Sequence, residues 1–151
     1  MSIQIRVATP DDAAAIWHLN DLYDDVRATV EQIRTKIVEC AGIETTLLAT
    51  VEEGRVEEER VKNQVVGFLC LRLVPQTCDP TAYAEVSELF VEEAYRRQGV
   101  AHALMTRAKE LAREAGATQI VLLTGFKNAR AQRFYHSEGF ENYCVAMCAR
   151  L

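Results

Sequence analysis

The feature that most constrains the fold of this 151-residue chain is a strand, a turn, a long helix and a second strand in immediate succession. The run from Tyr83 to Val91 reads as an apolar strand. The helical pattern begins at about Val100 and continues through Ala103, Leu104, Ala108, Leu111, Ala112 and Ala115, with Gly116 placed to end it. Gln119 to Leu123 is a compact apolar run that suits a buried strand. Strands joined through such a crossover run parallel and lie side by side, so at least one parallel pair is expected.

The turn inside this unit has its own chemistry. Arg96, Gly99 and Ala101 stand in the order Arg-x-x-Gly-x-Ala at the start of the helix. A helix leaves its first four N–H groups without partners, and its aligned peptide dipoles place roughly half a positive charge there. Small residues let a ligand approach this main chain closely, and a phosphate fits such a place; a plain strand-to-helix turn with its arginines in solvent is the alternative.

Ahead of this unit, Ile3, Ile5 and Val7 alternate with polar residues as in a strand with one buried face. Thr9, Pro10, Asp11 and Asp12 then form a helix start, followed by a stripe of Ala15, Ile16, Leu19, Leu22, Tyr23 and Val26. Thr29 and Gln32 have capping-box spacing before a second stripe of Val30, Ile33, Ile37 and Cys40. Residues 46–51 and 65–74 read as two strands, separated by a charged connection from Glu52 to Asn63 that suits a solvated hairpin loop. Pro75 to Thr81 reads as a surface loop. After the crossover, Asn128 to Ser137 reads as a short helix stopped by Gly139, and the tail from Phe140 to Leu151 alternates enough for a last strand.

Composition narrows the function classes. The length matches one domain over residues 1–151, with 49% hydrophobic and 26% charged residues. A net charge of -5 argues against a nucleic-acid binder and accommodates a cationic partner more easily. Five cysteines form no Cys-x-x-Cys pair, which points to reduced thiols in a cytoplasm, and no apolar run reaches the length of a membrane span. His18, His102 and His136 lack metal-ligand spacing, so no metal is expected. Cys70, Cys144 and Cys148 have no histidine patterned to activate them and read as buried small hydrophobes.

Two blocks give the chain a specific resemblance. Leu89-Phe90-Val91 followed by Arg96-x-x-Gly99-x-Ala101 resembles the coenzyme A pyrophosphate loop of the GNAT superfamily, acyltransferases that use acetyl-CoA. The segment from Asn128 through Ala131, Phe134, Tyr135, Gly139 and Phe140 is similar to the family's Asn-x-x-Ala-x-x-Phe-Tyr-x-x-x-Gly-Phe. The order of elements from Ile3 to the tail is similar too, so the resemblance covers essentially the whole chain. It implies an α/β (α+β) fold: a mixed, mostly antiparallel sheet of about six strands flanked by four helices, with a parallel pair splayed at the coenzyme site. Only 12 residues follow Gly139, fewer than in many relatives, which leaves open last strands that are merged, shortened or completed by a partner subunit in a homodimer.

The resemblance also implies roles. The amides of Arg97, Gln98, Gly99, Val100 and Ala101 would cradle the pyrophosphate, with Arg96 in the same motif. Leu89, Phe90 and Val91 would pair their backbone with the pantetheine arm, a backbone N–H near Phe90 meeting the developing oxyanion. Asn128 would bond the arm or cap its own helix. Tyr135 would protonate the coenzyme thiolate, against a bland reading as a packed core tyrosine. Glu85 is the first candidate for the base that deprotonates the amine, with Glu88 or a water chain as alternatives. A two-residue period puts Glu85 on one face with Ser87, Leu89 and Val91, Glu88 facing the other way. The implied reaction is acetyl transfer from acetyl-CoA to a primary amine, a small cationic molecule being suggested by Asp21, Asp24, Asp25 and Glu85. A protein lysine or N-terminal acetyltransferase and a non-catalytic acetyl-CoA-binding sensor are the alternatives, and neither nucleic acid nor membrane is an expected partner.

Overall fold

The structure is a computed structural model that describes residues 2–23, 27–52 and 63–151, without the Asn63 side chain. Asp24, Asp25 and Val26 of the first interhelical link lie outside the described residues, as does most of the acidic connection between Glu52 and Asn63. The elements are β1 (Ile3–Val7), a 3-10 turn (Pro10–Asp12), α1 (Ala13–Leu22), α2 (Val30–Glu39), β2 (Glu44–Glu52), β3 (Asn63–Gln76) and β4 (Asp79–Val91). A second 3-10 turn (Glu93–Tyr95), α3 (Val100–Glu114), β5 (Ile120–Leu122) and α4 (Ala129–Ser137) follow. Two compact units result, Met1–Val121 and Leu122–Leu151.

The sheet has the strand order β1-β2-β3-β4-β5. Its first four strands are antiparallel. The expected parallel pair is β4 and β5, joined across the α3 crossover, and the Ala84 N–H donates to the Gln119 carbonyl at 2.9 Å just ahead of β5. Mixed sheet and four helices agree with the fold expected from the sequence, with five strands among the described residues.

Alternation along the strands divides the core of the first unit in two. On one face Ile16 and Leu19 of α1 pack with Leu48, Phe68, Cys70 and Phe90, and Ile33 and Ile37 of α2 lie against this cluster. On the other face Leu104, Met105 and Ala108 of α3 are buried, and Gly67 comes close to Leu104. Local chemistry sets the ends. Arg6 donates twice to the Asp12 carboxylate, at 2.7 and 2.6 Å, and the Thr9 N–H and hydroxyl donate to the same carboxylate at 2.8 and 2.9 Å. This clamp ties β1 to the first helix start, and the Arg6 hydrogen bond holds the Asp12 pKa down at about 2. The Thr29–Gln32 capping box forms as expected.

Two expectations are corrected. Residues 75–81 do not make a loop: Pro75 lies in β3 and Pro80 in β4, and the strands continue into a tight hairpin whose register is Val74↔Tyr83 and Gln76↔Asp79. Pro75 falls in the register shift between Val74 and Gln76, a position that asks no ladder N–H of it. The Asp79 carboxylate then accepts the Thr81 N–H at 2.8 Å and closes the turn. The second correction concerns the tail, in which residues 141–151 form no regular element, with Tyr143 78%, Val145 81% and Met147 94% exposed. Its alternation places apolar side chains on both faces, so the pattern selects no buried side, and period two alone does not supply a neighbouring strand.

Candidate active site

Besides the shift at Pro75, the register of β4 against β3 is irregular between Cys70 and Leu71, and this rearranges the candidate catalytic face. Cys70 pairs with Glu88 but Leu71 pairs with Val86, so Ser87 is an extra residue in β4, a bulge. Residues opposite one another share a face, and on β3 the residues Phe68, Cys70 and Arg72 alternate onto one side. Their partners Phe90, Glu88 and Glu85 therefore lie on that same side. This corrects the expectation that Glu85 shares a face with Leu89 and Val91 and that Glu88 points away: the inserted residue reverses the period at Ser87. Glu85, with 26% of its side chain exposed, lies 3.8 Å from the Arg72 guanidinium. Arg72 in turn donates its Nε–H to Glu44 at 2.6 Å.

At the far end of β4 the strand turns sharply towards α3. Phe90 is buried, its ring centroid 6.3 Å from that of Phe68 and 5.4 Å from that of Tyr23. Arg96 folds back over the strand end. Its Nε donates to the Val91 carbonyl at 2.8 Å and its guanidinium carbon lies 5.6 Å from the Phe90 ring centroid. This contact engages the Val91 carbonyl and braces the turn, a structural use of Arg96 beside the ligand contact expected of the motif. Gln98 Nε2 donates to the Ala94 carbonyl at 2.7 Å and fastens the same loop.

The turn itself adopts left-handed backbone at Arg97 (φ 61°) and Gly99 (φ 87°). Gly99 caps α3 without any side-chain hydrogen bond, and the first helical bond runs from the Ala103 N–H to the Gly99 carbonyl at 2.9 Å. The first amides of a helix have no intrahelical acceptor, Gly99 supplies no side-chain cap here, and the alternating conformation is the kind that forms an anion-binding concavity. Beside the turn is a cleft of about 480 Å³ lined by Leu22, Phe90, Glu92, Glu93, Ala94 and Arg96.

In the second unit the Asn128-to-Phe140 block folds as one capped helix. Asn128 accepts the Ala131 N–H at 3.1 Å, the N-cap alternative of its two expected uses. Gly139 (φ 85°) leaves the helix in left-handed conformation, and the Phe140 N–H returns to the Tyr135 carbonyl at 3.0 Å. This is a Schellman ending, and its usual apolar contact is present: the Tyr135 and Phe140 rings meet edge to face at 6.0 Å. The block's Asn, Gly and Phe thus have a conformational reason to occur together, and Tyr135 is oriented by the helix end.

The cysteines divide. Cys70 is buried, and burial pushes its thiol well above the usual range, so it is inert as a nucleophile. Cys144 and Cys148 are exposed, contrary to expectation, because the tail that carries them joins no sheet. Sequence reasoning also passed over Gly67. A Cβ there would lie 2.8 Å from the Phe90 carbonyl oxygen and 3.2 Å from Val91 Cγ2, so the close approach of β3 to the end of β4 depends on this glycine. An isolated glycine within a strand pattern is the signal that marks such a place.

Residues 17–140 match the family described as the acetyltransferase (GNAT) family. A Bacillus subtilis (strain 168) relative, an uncharacterized N-acetyltransferase, is 26% identical over 98% of this chain and 100% of its own length. N-acetyltransferase family 8 member 2 of Rattus norvegicus is 32% identical over 91 residues, 58% of this chain, and the match spans 40% of that protein. Among solved structures, AAC(6')-Iy in complex with a bisubstrate analog, CoA-S-monomethyl-acetylneamine, superposes with a TM-score of 0.80 at 16% identity, covering 100% of this chain and 99% of that one.

Proposed function

The chain belongs to the acetyltransferase (GNAT) family, and from that membership we propose that it is an N-acetyltransferase that moves the acetyl group of acetyl-CoA to a primary amine, by direct attack in a ternary complex. The observation that carries this reading is the α3 N-terminus: left-handed backbone at Arg97 and Gly99, no side-chain cap, and small residues at Gly99 and Ala101. The residues present fit a pyrophosphate, since a Cβ at Gly99 would meet only Ile3 Cδ1, at 3.9 Å, and the main chain is open to an approaching ligand.

Bound acetyl-CoA supplies the acyl group as a thioester, whose C–S bond breaks as the new C–N bond forms. The chain's part is to hold and to move protons. The amides of residues 97–101 bind the two phosphates, and the strand end at Leu89 and Phe90, braced by Arg96, offers its backbone to the arm. An alkylammonium has an unperturbed pKa of about 10, so the acceptor must lose a proton before it attacks. Glu85 takes that proton. Tyr135 gives one to the departing thiolate; phenol and thiol have unperturbed pKa values of about 10 and 8.5, so the transfer is feasible. The roles of Tyr135 and Asn128 rest on the motif they occupy.

A cationic acceptor is supported by the carboxylates of this chain. Glu44, Glu85 and Glu88 lie on the α1/α2 side of the sheet with Arg72, and Glu92 and Glu93 line the cleft beside Phe90. Thiol release from acetyl-CoA, measured with spermidine, with neamine and with a lysine-containing peptide, tests the reading. Amine-dependent release, fastest with a small polycation, is expected. Binding of acetyl-CoA without release in the presence of any of the three would replace the enzyme reading with that of a sensor.

A further inference from the structure

Three rows cross the sheet side by side on the α1/α2 face. Leu48, Phe68 and Phe90 form an apolar floor; Thr46, Cys70 and Glu88 form the next row; Glu44, Arg72 and Glu85 form the third. The bulge at Ser87 is what brings Glu85 into the third row. In that row a single arginine stands between two carboxylates at unequal distances, 2.6 Å from Glu44 and 3.8 Å from Glu85. The shorter contact is the Arg72 Nε–H donated to Glu44, and it is the main reason the Arg72 pKa is raised.

We propose that Arg72 and Glu44 are positioning residues for Glu85: Glu44 holds the guanidinium on its own side of the row, so that Arg72 orients the Glu85 carboxylate without closing on it. The proposal rests on Glu85 serving as the base. An arginine paired fully with Glu85 would fill the lone pairs that must receive the amine's proton. With Glu44 as the tighter partner, Glu85 is steered and stays able to accept. The other charged groups near this face are engaged or outward. Glu88, exposed beside Cys70, and Arg27 each have an interaction of their own; burial keeps the Cys70 thiol neutral; Lys36 pairs with Glu39, and Arg34 with Asp11 and Glu31; His18 and Asp21 of α1 are exposed.

The two neighbours should therefore act on Glu85 in opposite senses. Arg72→Gln removes the cation and leaves Glu85 in one row with Glu44, which favours the protonated carboxyl. Glu44→Gln removes an anion and releases Arg72 towards Glu85, which favours the carboxylate. The test is a titration of the Glu85 carboxyl by ¹³C NMR in glutamate-labelled protein, with the resonance assigned from Glu85→Gln. A higher midpoint in Arg72→Gln and a lower one in Glu44→Gln are expected, with Arg72→Lys closer to the parent. Midpoints that stay in place, or move together, overturn the proposal, and general structural damage would not produce opposite displacements. Thiol release from acetyl-CoA with spermidine separates the two ideas. If the acid limb of kcat/KM follows the midpoints, both stand; if turnover in Glu85→Gln equals that of the parent, the base assignment falls even where the midpoints move as stated.

Discussion

Gly67→Ala isolates the packing on which the candidate site depends. The added methyl would lie 2.8 Å from the Phe90 carbonyl oxygen, 3.2 Å from Val91 Cγ2 and 3.5 Å from Leu104 Cδ1. The first of these is backbone, in register with the residue opposite, so no side-chain rotation relieves it; β3 and β4 must separate by several tenths of an ångström. Overpacking of this kind costs about 1–3 kcal/mol, and at roughly 2–4 °C per kcal/mol for a chain of this size the melting temperature should fall by about 2–12 °C. The displacement falls on Phe90 and Val91, whose carbonyl receives Arg96, so acetyl-CoA affinity should fall as well. Differential scanning calorimetry and a coenzyme titration read the two effects. A melting temperature within about 1 °C of the parent, with unchanged affinity, would refute the claim that this close approach sets the site.

Gly99→Ala meets no such obstruction, so its penalty comes from the 87° φ alone; about 1 kcal/mol of stability should be lost, with weaker acetyl-CoA binding, in denaturant unfolding and titration. Asp12→Asn should destabilise at neutral pH by about 1 kcal/mol after solvent screening. Because the Asp12 pKa is depressed to about 2, this contribution is complete above the unfolded carboxyl value near 4 and vanishes as pH falls through 2, so parent and variant should converge in acid unfolding curves. Tyr135→Phe keeps the ring against Phe140 and should lower turnover by ~10²-fold with acetyl-CoA binding intact, in steady-state thiol-release kinetics. Acetyl-CoA at a hundred times its dissociation constant should add about 2.7 kcal/mol to the parent's stability.

Much of this was readable in the sequence, for identifiable reasons. The crossover forces a parallel pair, the Thr29–Gln32 box is purely local, and Gly99 and Gly139 stand where left-handed backbone is needed. What escaped is the set of features decided by partners distant in the chain. The Ser87 bulge leaves alternation in the sequence intact while reversing the faces on either side of it, so the grouping of Glu85 with Glu88 appears only in the register against β3. The Glu44–Arg72 contact joins residues 28 positions apart. Pro75 is ambiguous in sequence because a proline signals a break and a bulge alike. In the tail, an apolar alternation on both faces resembles a buried strand and carries no information about which edge, if any, it joins.

The central claim is that the turn before α3 binds the coenzyme's phosphates. Titrating ¹⁵N-labelled protein with acetyl-CoA and following the amide resonances of residues 97–101 tests it most directly. Saturable shifts that are largest at those amides, reproduced by coenzyme A without its acetyl group, are expected from helix N-terminal N–H groups taking up anionic oxygens. Saturable binding that leaves those five resonances in place would contradict it.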